Sequence, residues 1–211
     1  MAGRKAGPDL VGLTVLALLS VKPSHPYELH RFIIDTHKDF VRGLPRSLYH
    51  AVDRLAEGEL IVPVETTREG RRPERTVYRI TSEGQAELST RLRRLLEQPH
   101  DDMRTLTAAV SLMGALHPDD AEHALRTRTG ALEGAVAGLD AHLAAQEASG
   151  LPRILLLELE CERALRAAEL AWVHDVLTRI RSGDLSWTGP LNADLLATLP
   201  TTEGDDAPAP E

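Results

Sequence analysis

The chain has 211 residues, of which 42% are hydrophobic and 27% charged, the composition of a globular protein long enough to bury a sizeable core. Its single cysteine, Cys161, excludes an internal disulfide framework and suits a reducing cytoplasm. No apolar run approaches the roughly 18 to 20 residues that cross a bilayer, and a proline and an aspartate near the start argue against a signal peptide. We therefore expect a cytoplasmic protein that does not associate with a membrane.

The net charge of −8 conceals a difference between the two halves of the sequence. Residues 1–98 hold 16 lysines and arginines against 13 acids, whereas residues 99–211 hold 8 basic and 19 acidic residues. Such an asymmetry is a weak indication that the first half binds a polyanion.

The first half predicts three helices, a β-hairpin and a further helix. The helices are expected over residues 9–21, 25–37 and 45–57, with Ser24 as the N-cap of the second and Gly58 as the C-cap of the third. Residues 60–67 and 75–81 then have the pattern of two strands around a loop with glycine and proline. Helix returns at Ser82, the expected N-cap, and runs to about residue 98. This order is that of a winged helix-turn-helix followed by a linking helix.

The second half predicts only helices. A short helix over residues 102–115 precedes a long one from Pro118 to about residue 149, with Leu125, Leu132 and Leu139 in a seven-residue repeat. Residues 150–152 interrupt it, and a second long helix follows over about residues 153–181. Its predicted apolar stripe consists of Leu157, Cys161, Ala164, Ala168, Trp172 and Leu177.

Each long helix would measure roughly 40–45 Å, more than one small winged domain can cover. We therefore predict a mainly α fold with an antiparallel long-helix domain that forms a homodimer. The expected domains are residues 1–98 for DNA binding, 99–182 for dimerisation and effector binding, and 183–211 as a disordered tail. After Gly183 the tail has six acids, no bases and four prolines.

The third predicted helix has a polar face of the kind that recognises DNA. With Leu48, Val52 and Leu55 directed inward, the remaining faces carry Arg46, Ser47, Tyr49, His50, Asp53 and Arg54. Arginine can bond guanine bidentately, and serine and tyrosine hydroxyls suit phosphates. From this helix alone, an ordinary solvated face is an equally good interpretation.

The hairpin loop favours the DNA interpretation. Arg68, Arg71, Arg72 and Arg75 occur within eight residues, on a loop too short to bury them. A run of charge is usually a solvated surface, but directly after a recognition-type helix it favours contact with phosphates or a minor groove. Double-stranded DNA is therefore the expected partner.

The sequence gives weaker evidence for metal, catalytic and effector sites. The histidines of the second predicted helix are not spaced to bind one metal ion, and no phosphate loop or serine elbow occurs, so we expect no metal, cofactor or catalytic residues. Trp172, His174 and His142 are candidates for lining an effector pocket. A tryptophan on a long helix is, however, more often part of an interface core.

Three stretches resemble the PadR family of bacterial transcriptional regulators, VLALLSVKPSHPYEL, RSLYHAVDRLAEGELI and GRRPERTVYRITSEGQAEL. The resemblance covers residues 10–95, and the two long helices look like the larger PadR subgroup, in which they build the dimer. It implies DNA contacts for Ser47, Tyr49 and the wing arginines, a backbone contact for Tyr27, and repression at a bacterial nucleoid.

The sequence departs from the family pattern at three positions. Pro26 and Arg46 stand where glycine is usual, and His50 replaces a proline. Arg46 and His50 lie on the expected recognition face, so the operator sequence does not carry over. We expect a ligand-responsive repressor that binds a pseudo-palindromic operator as a homodimer. The rivals are a dimeric interaction module that does not bind DNA, and an enzyme, which would need convergent polar residues in the helical half.

Overall fold

The fold is seen in a computed structural model that describes residues 7–67, 75–100 and 102–187. The elements in chain order are α1 (Leu10–Val21), α2 (Pro26–Asp35), α3 (Arg46–Glu57), β1 (Ile61–Thr67), β2 (Arg75–Ile80), α4 (Ser82–Glu97), α5 (Met103–Leu112), a 3-10 turn (Met113–Ala115), α6 (Pro118–Ala148), a second 3-10 turn (Arg153–Leu156) and α7 (Leu157–Ser182). The predicted fold class, a winged helix-turn-helix followed by long helices, is confirmed. The chain divides into two compact units between Ala86 and Glu87, within α4. The domain limits at residues 98 and 182 remain predictions.

The first unit is built around α1, which is buried over residues 12–19 because its sequence is apolar on nearly every side. The apolar faces of α2 and α3 complete the core. Its principal side chains are Leu13, Leu16, Leu19, Leu29, Ile33, Leu48, Val52, Leu55 and Ile61. Burial of each such side chain contributes about 1.5–3 kcal/mol, so this core holds α2 and α3 in the helix-turn-helix arrangement.

The wing is an antiparallel hairpin in which Ile61 pairs with Ile80. Its register shifts just after Pro63, which has no N–H to donate to a neighbouring strand. Tyr78 of β2 also exchanges two backbone hydrogen bonds of 3.0 Å with Ser24. The connection between α1 and α2 is thereby tied to the hairpin.

The N-cap of α2 is His25, not Ser24 as predicted. His25 Nδ1 accepts a hydrogen bond from the Tyr27 N–H at 3.0 Å, and the Glu28 carboxylate accepts one from the His25 N–H at 3.0 Å. These reciprocal bonds form a capping box. Ser24 lies one residue too early to cap a helix that begins at Pro26, and its Oγ donates a hydrogen bond to the Lys22 carbonyl oxygen.

The start of α4 also differs from the prediction. Thr81 Oγ1, rather than Ser82, accepts a hydrogen bond from the Gly84 N–H at 3.0 Å. A Cβ at Gly84 would overlap the carbonyl oxygen of Leu60 and come within 2.8 Å of Ile80 Cγ1. The close approach of α4 to the hairpin therefore requires glycine.

The second unit contains the remainder of α4 together with α5, α6 and α7. Three ion pairs join the two long helices, Asp140–Arg163, Arg128–Glu169 and Glu122–Arg181. Because positions on α7 rise as those on α6 fall, the helices are antiparallel, as predicted. The 31 residues of α6 span about 46 Å. No helix within the described residues is both long and apolar enough to cross a membrane.

The prediction of the apolar stripe of α7 is wrong, because most of its residues do not lie on the face that the structure buries. Val173, Val176 and Leu177 are the buried residues of α7, and of the predicted stripe only Leu177 is among them. Trp172 and Cys161 are exposed on the single chain. The helix is apolar on more than one side, and positions 173, 176 and 177 form the side turned inward. Of the predicted tail, residues 188–211 lie outside the described residues.

Candidate nucleic-acid interface

The candidate surface predicted from the sequence is the outer face of α3. Leu48, Ala51, Val52 and Leu55 are buried against the core, which turns the opposite face outward. That face carries Arg46, His50, Asp53 and Glu57, at intervals of four, three and four residues, and all four are exposed. It is basic and aromatic over residues 46–50 and acidic at residues 53 and 57.

The turn before α3 is shaped by Gly43, whose φ of +76° lies in the left-handed region that favours glycine. Ser47 Oγ donates a hydrogen bond of 2.8 Å to the Arg42 carbonyl oxygen, and its backbone N–H donates to the Gly43 carbonyl at 3.1 Å. On the exposed face of α3, Arg46 Nε donates a hydrogen bond of 3.4 Å to Nε2 of His50, one helical turn further along. Arg46 and His50 are therefore adjacent on the exposed surface.

Two tyrosines, Tyr27 of α2 and Tyr49 of α3, are exposed. In the turn between α2 and α3, the Lys38 ammonium lies 5.9 Å from the centroid of the Phe40 ring, and burial lowers the pKa of Lys38. Exposed phenol hydroxyls are suited to hydrogen bonds with phosphate oxygens.

Arg54 is placed differently from the other predicted contacts. Its Nη2 lies 2.7 Å from Oδ2 of Asp9, 45 residues earlier in the chain. The other oxygen of the same carboxylate accepts a hydrogen bond from the Gly12 N–H at 2.9 Å and caps α1. Arg54 thus joins α3 to the start of α1. The sequence pattern did not indicate this role for Asp9.

The predicted wing contacts lie at the edge of what the structure describes. Arg68, Arg71 and Arg72 are outside the described residues. Arg75 opens β2, but its side chain is not described. Contacts of these arginines with DNA therefore remain predictions.

The three candidates for an effector pocket are not brought together. Trp172 and His174 are two positions apart on α7, a spacing that directs side chains to different faces of a helix. Trp172 lines an apolar cavity of about 510 Å³ between α5 and α7, whereas His174 lines a separate one of about 330 Å³ with Arg126 and Arg181. His142 lines neither of these cavities.

The larger cavity is almost wholly apolar. Its lining residues are Met103, Leu106, Thr107, Val110, Ser111, Leu165, Ala168, Glu169 and Trp172. The one charged side chain among them, Glu169, is 8% exposed and pairs with Arg128. The size is within the range of small-molecule pockets.

Arg128 is the principal buried residue that the sequence analysis missed. It is fully buried on α6; its Nε donates to Glu169 Oε1 at 2.7 Å, and its Nη1 donates to the carbonyl oxygens of Leu95, Leu96 and Gln98. Its Nη2 is 2.5 Å from Glu169 Oε1 without hydrogen-bond geometry, so that contact is ionic only. Arg128 caps the end of α4. Arg128 lies three residues after Leu125 and four before Leu132, which places it on the same face of α6 as these leucines. This spacing is the feature of the sequence that could have indicated its burial.

No group of three or more potential metal ligands occurs among the residues that the structure describes.

Comparison with known proteins gives one family match, in the N-terminal part of the chain. The family described as "Transcriptional regulator PadR-like family" matches residues 15–90. No curated protein matches the chain. The family consists of transcriptional regulators, not of enzymes.

Three solved structures illustrate the neighbours. Bacillus subtilis PadR in complex with operator DNA is 17% identical, with 83% of this chain and 99% of that chain covered and a TM-score of 0.40. The same protein in complex with p-coumaric acid is 15% identical, with 82% and 99% covered and a TM-score of 0.36. The Vibrio cholerae virulence activator AphA is 20% identical, with 82% and 98% covered and a TM-score of 0.31. Similarity at these identities and TM-scores supports no conclusion beyond the family match. The domain over residues 15–90 is therefore identified as one of the PadR-like family of transcriptional regulators.

Proposed function

We propose that this regulator binds a pseudo-palindromic DNA operator as a homodimer and represses transcription until a small-molecule effector releases it. The observation that supports DNA binding most directly is the exposed basic and aromatic face of α3 over residues 46–50. A helix recognises bases in the major groove with residues near its N-terminus. Arg46 and His50 are the candidates for base contacts, and Ser47, Tyr49 and Tyr27 for phosphate contacts. The wing arginines 68, 71, 72 and 75 would follow the backbone or a minor groove.

The experiment for DNA binding uses the full-length protein and fragmented genomic DNA. Fragments retained by the purified protein are sequenced, and affinity for the enriched site is measured over a range of salt concentrations. Enrichment of a two-fold related site, bound with an affinity that falls steeply with salt, supports the proposal. Retention without any shared site would favour the rival, a dimeric winged-helix module that does not bind DNA specifically.

The homodimer is supported by the apolar residues that the single chain leaves uncovered. Leu165 is 62% exposed and Trp172 is 39% exposed on α7, and Ile154, Leu155 and Leu157 are exposed near its start. Contiguous exposed apolar surface usually marks an interaction site. Light scattering should give twice the chain mass for the wild type and the monomer mass for Leu165→Glu, because a buried charge opposes association. A monomeric wild type would contradict this part of the proposal.

The effector is supported by the 510 Å³ cavity that contains Trp172. A small apolar compound bound there should raise the Tm of the wild type, leave that of Trp172→Ala unchanged, and weaken DNA binding. If compounds stabilise both proteins equally, the cavity that contains Trp172 is not the effector site.

Repression and location are tested in cells. A reporter gene behind the enriched site should be expressed less when the regulator is present, and an increase would make the protein an activator. On this proposal the protein acts in the cytoplasm at a bacterial nucleoid. A fluorescent fusion should therefore coincide with DNA, and a diffuse or peripheral signal would contradict the proposed location.

A further inference from the structure

We propose that Arg54 is a positioning residue that fixes α3 to the start of α1, and that DNA recognition by α3 is confined to residues 46–50. The inference rests on the proposed DNA binding and names which part of the helix performs it. It separates Arg54 from Arg46, although both are exposed arginines on the same helix.

The geometry of Asp9 supports a positioning role. One carboxylate oxygen is held by the Gly12 N–H at 2.9 Å and the other lies 2.7 Å from Arg54 Nη2. A Cβ at position 12 would lie 3.0 Å from Asp9 Cγ and closer still to Oδ2, so glycine there makes room for the carboxylate. The Asp9 carboxylate is thus held at the N-terminus of α1 by its hydrogen bond with Gly12. Its contact with Arg54 fixes the second half of α3 relative to α1.

The distribution of charge on α3 points the same way. Residues 53–57 expose Asp53 and Glu57, and the one arginine among them, Arg54, is already paired with a carboxylate. This half of the helix offers no free cation to a phosphate and two anions that the DNA backbone would repel. Residues 46–50 carry Arg46 and His50 and no acid.

The exposure of the Arg54–Asp9 ion pair determines which measurement should show the effect of its loss. The Arg54 and Asp9 side chains are 56% and 37% exposed, and ion pairs exposed to this degree contribute little to the stability of a fold. Loss of the pair should therefore leave the Tm almost unchanged. A small displacement of α3 alters the alignment of its base contacts, however, so the loss should appear in DNA affinity.

The test compares two substitutions that remove the same charge from the full-length protein. Asp9→Asn deletes the partner of Arg54 while asparagine still caps α1, and Asp53→Asn deletes an acid for which the described residues provide no ion pair. The probe is a duplex that the wild type enriches from a randomised pool. We expect Asp9→Asn to weaken binding about two- to fivefold, in proportion to a partly exposed ion pair, and Asp53→Asn to leave it equal or tighter.

A double-mutant cycle completes the test. Arg54→Ala should weaken binding as Asp9→Asn does, the double variant should bind no more weakly than either single one, and the salt slope should not change. If Arg54→Ala reduces the slope by about 0.9 per contact and Asp9→Asn tightens binding, Arg54 is a phosphate ligand and the inference is wrong. Additive effects, or none at all, would overturn it as well. A wild type that enriches no duplex would refute the proposed function itself, whereas enrichment with the wrong mutant pattern refutes only this inference.

Discussion

The stability of the helical unit should depend strongly on Arg128. Substitution by methionine would leave Glu169, which is 8% exposed, without its cationic partner, and would remove the donor to three carbonyl oxygens at the end of α4. Removing one partner of a buried ion pair typically costs about 3–5 kcal/mol. We expect Arg128→Met to lower the free energy of unfolding by about that amount. Urea unfolding followed by circular dichroism, at one fixed protein concentration, measures the change.

The matched control is two positions away on the same helix. Arg126 pairs with Glu122 but its side chain is 56% exposed, so Arg126→Met should cost less than about 1 kcal/mol. Replacing both buried partners, Arg128→Met with Glu169→Leu, should recover stability relative to Arg128→Met alone, because no unpaired charge then remains buried. Equal losses for Arg128→Met and Arg126→Met would refute the reasoning.

Two further predictions concern the glycines and the wing. Gly84→Ala should lower the Tm and reduce the free energy of unfolding by about 1–3 kcal/mol, because its Cβ would collide with the Leu60 carbonyl. A Cβ at Gly130 meets nothing within 4 Å, so Gly130→Ala should raise the free energy of unfolding by about 0.5–1 kcal/mol. Thermal melts of both variants decide this, and a similar response from both would contradict it. Replacing Arg71 and Arg72 with alanine should weaken binding across DNA sequences and reduce the salt slope. An unchanged slope would remove the wing from the phosphate contacts.

Features set by local chemistry were predictable from the sequence. The start of α6 at Pro118 follows from a proline and two acids at a helix N-terminus, and the structure begins the helix at that residue. The order of three helices, a hairpin and a linking helix followed from changes in apolar period. The caps at Ser24 and Ser82 were wrong because a neighbouring side chain, His25 or Thr81, is better placed to accept the bond.

Features set by long-range contacts were not predictable in the same way. Asp9 and Arg54 are 45 residues apart, and Arg128 and Glu169 are 41 apart, so nothing local pairs them. Arg128 could have been suspected from its place on the apolar face of α6, but not its partner. The inner face of α7 was misassigned because the helix is apolar on several sides, and packing against α6 selects one of them.

The central claim is that residues 46–50 at the start of α3 recognise bases within a two-fold symmetric dimer. The most direct measurement is selection of bound duplexes from a randomised pool by the wild type and by Arg46→Gly. The wild type should enrich half-sites about 10 base pairs apart. Arg46→Gly should relax preference at one base pair in each half-site, because one bidentate arginine–guanine pair supplies about 1–3 kcal/mol of discrimination. An identical motif for both proteins would contradict the claim.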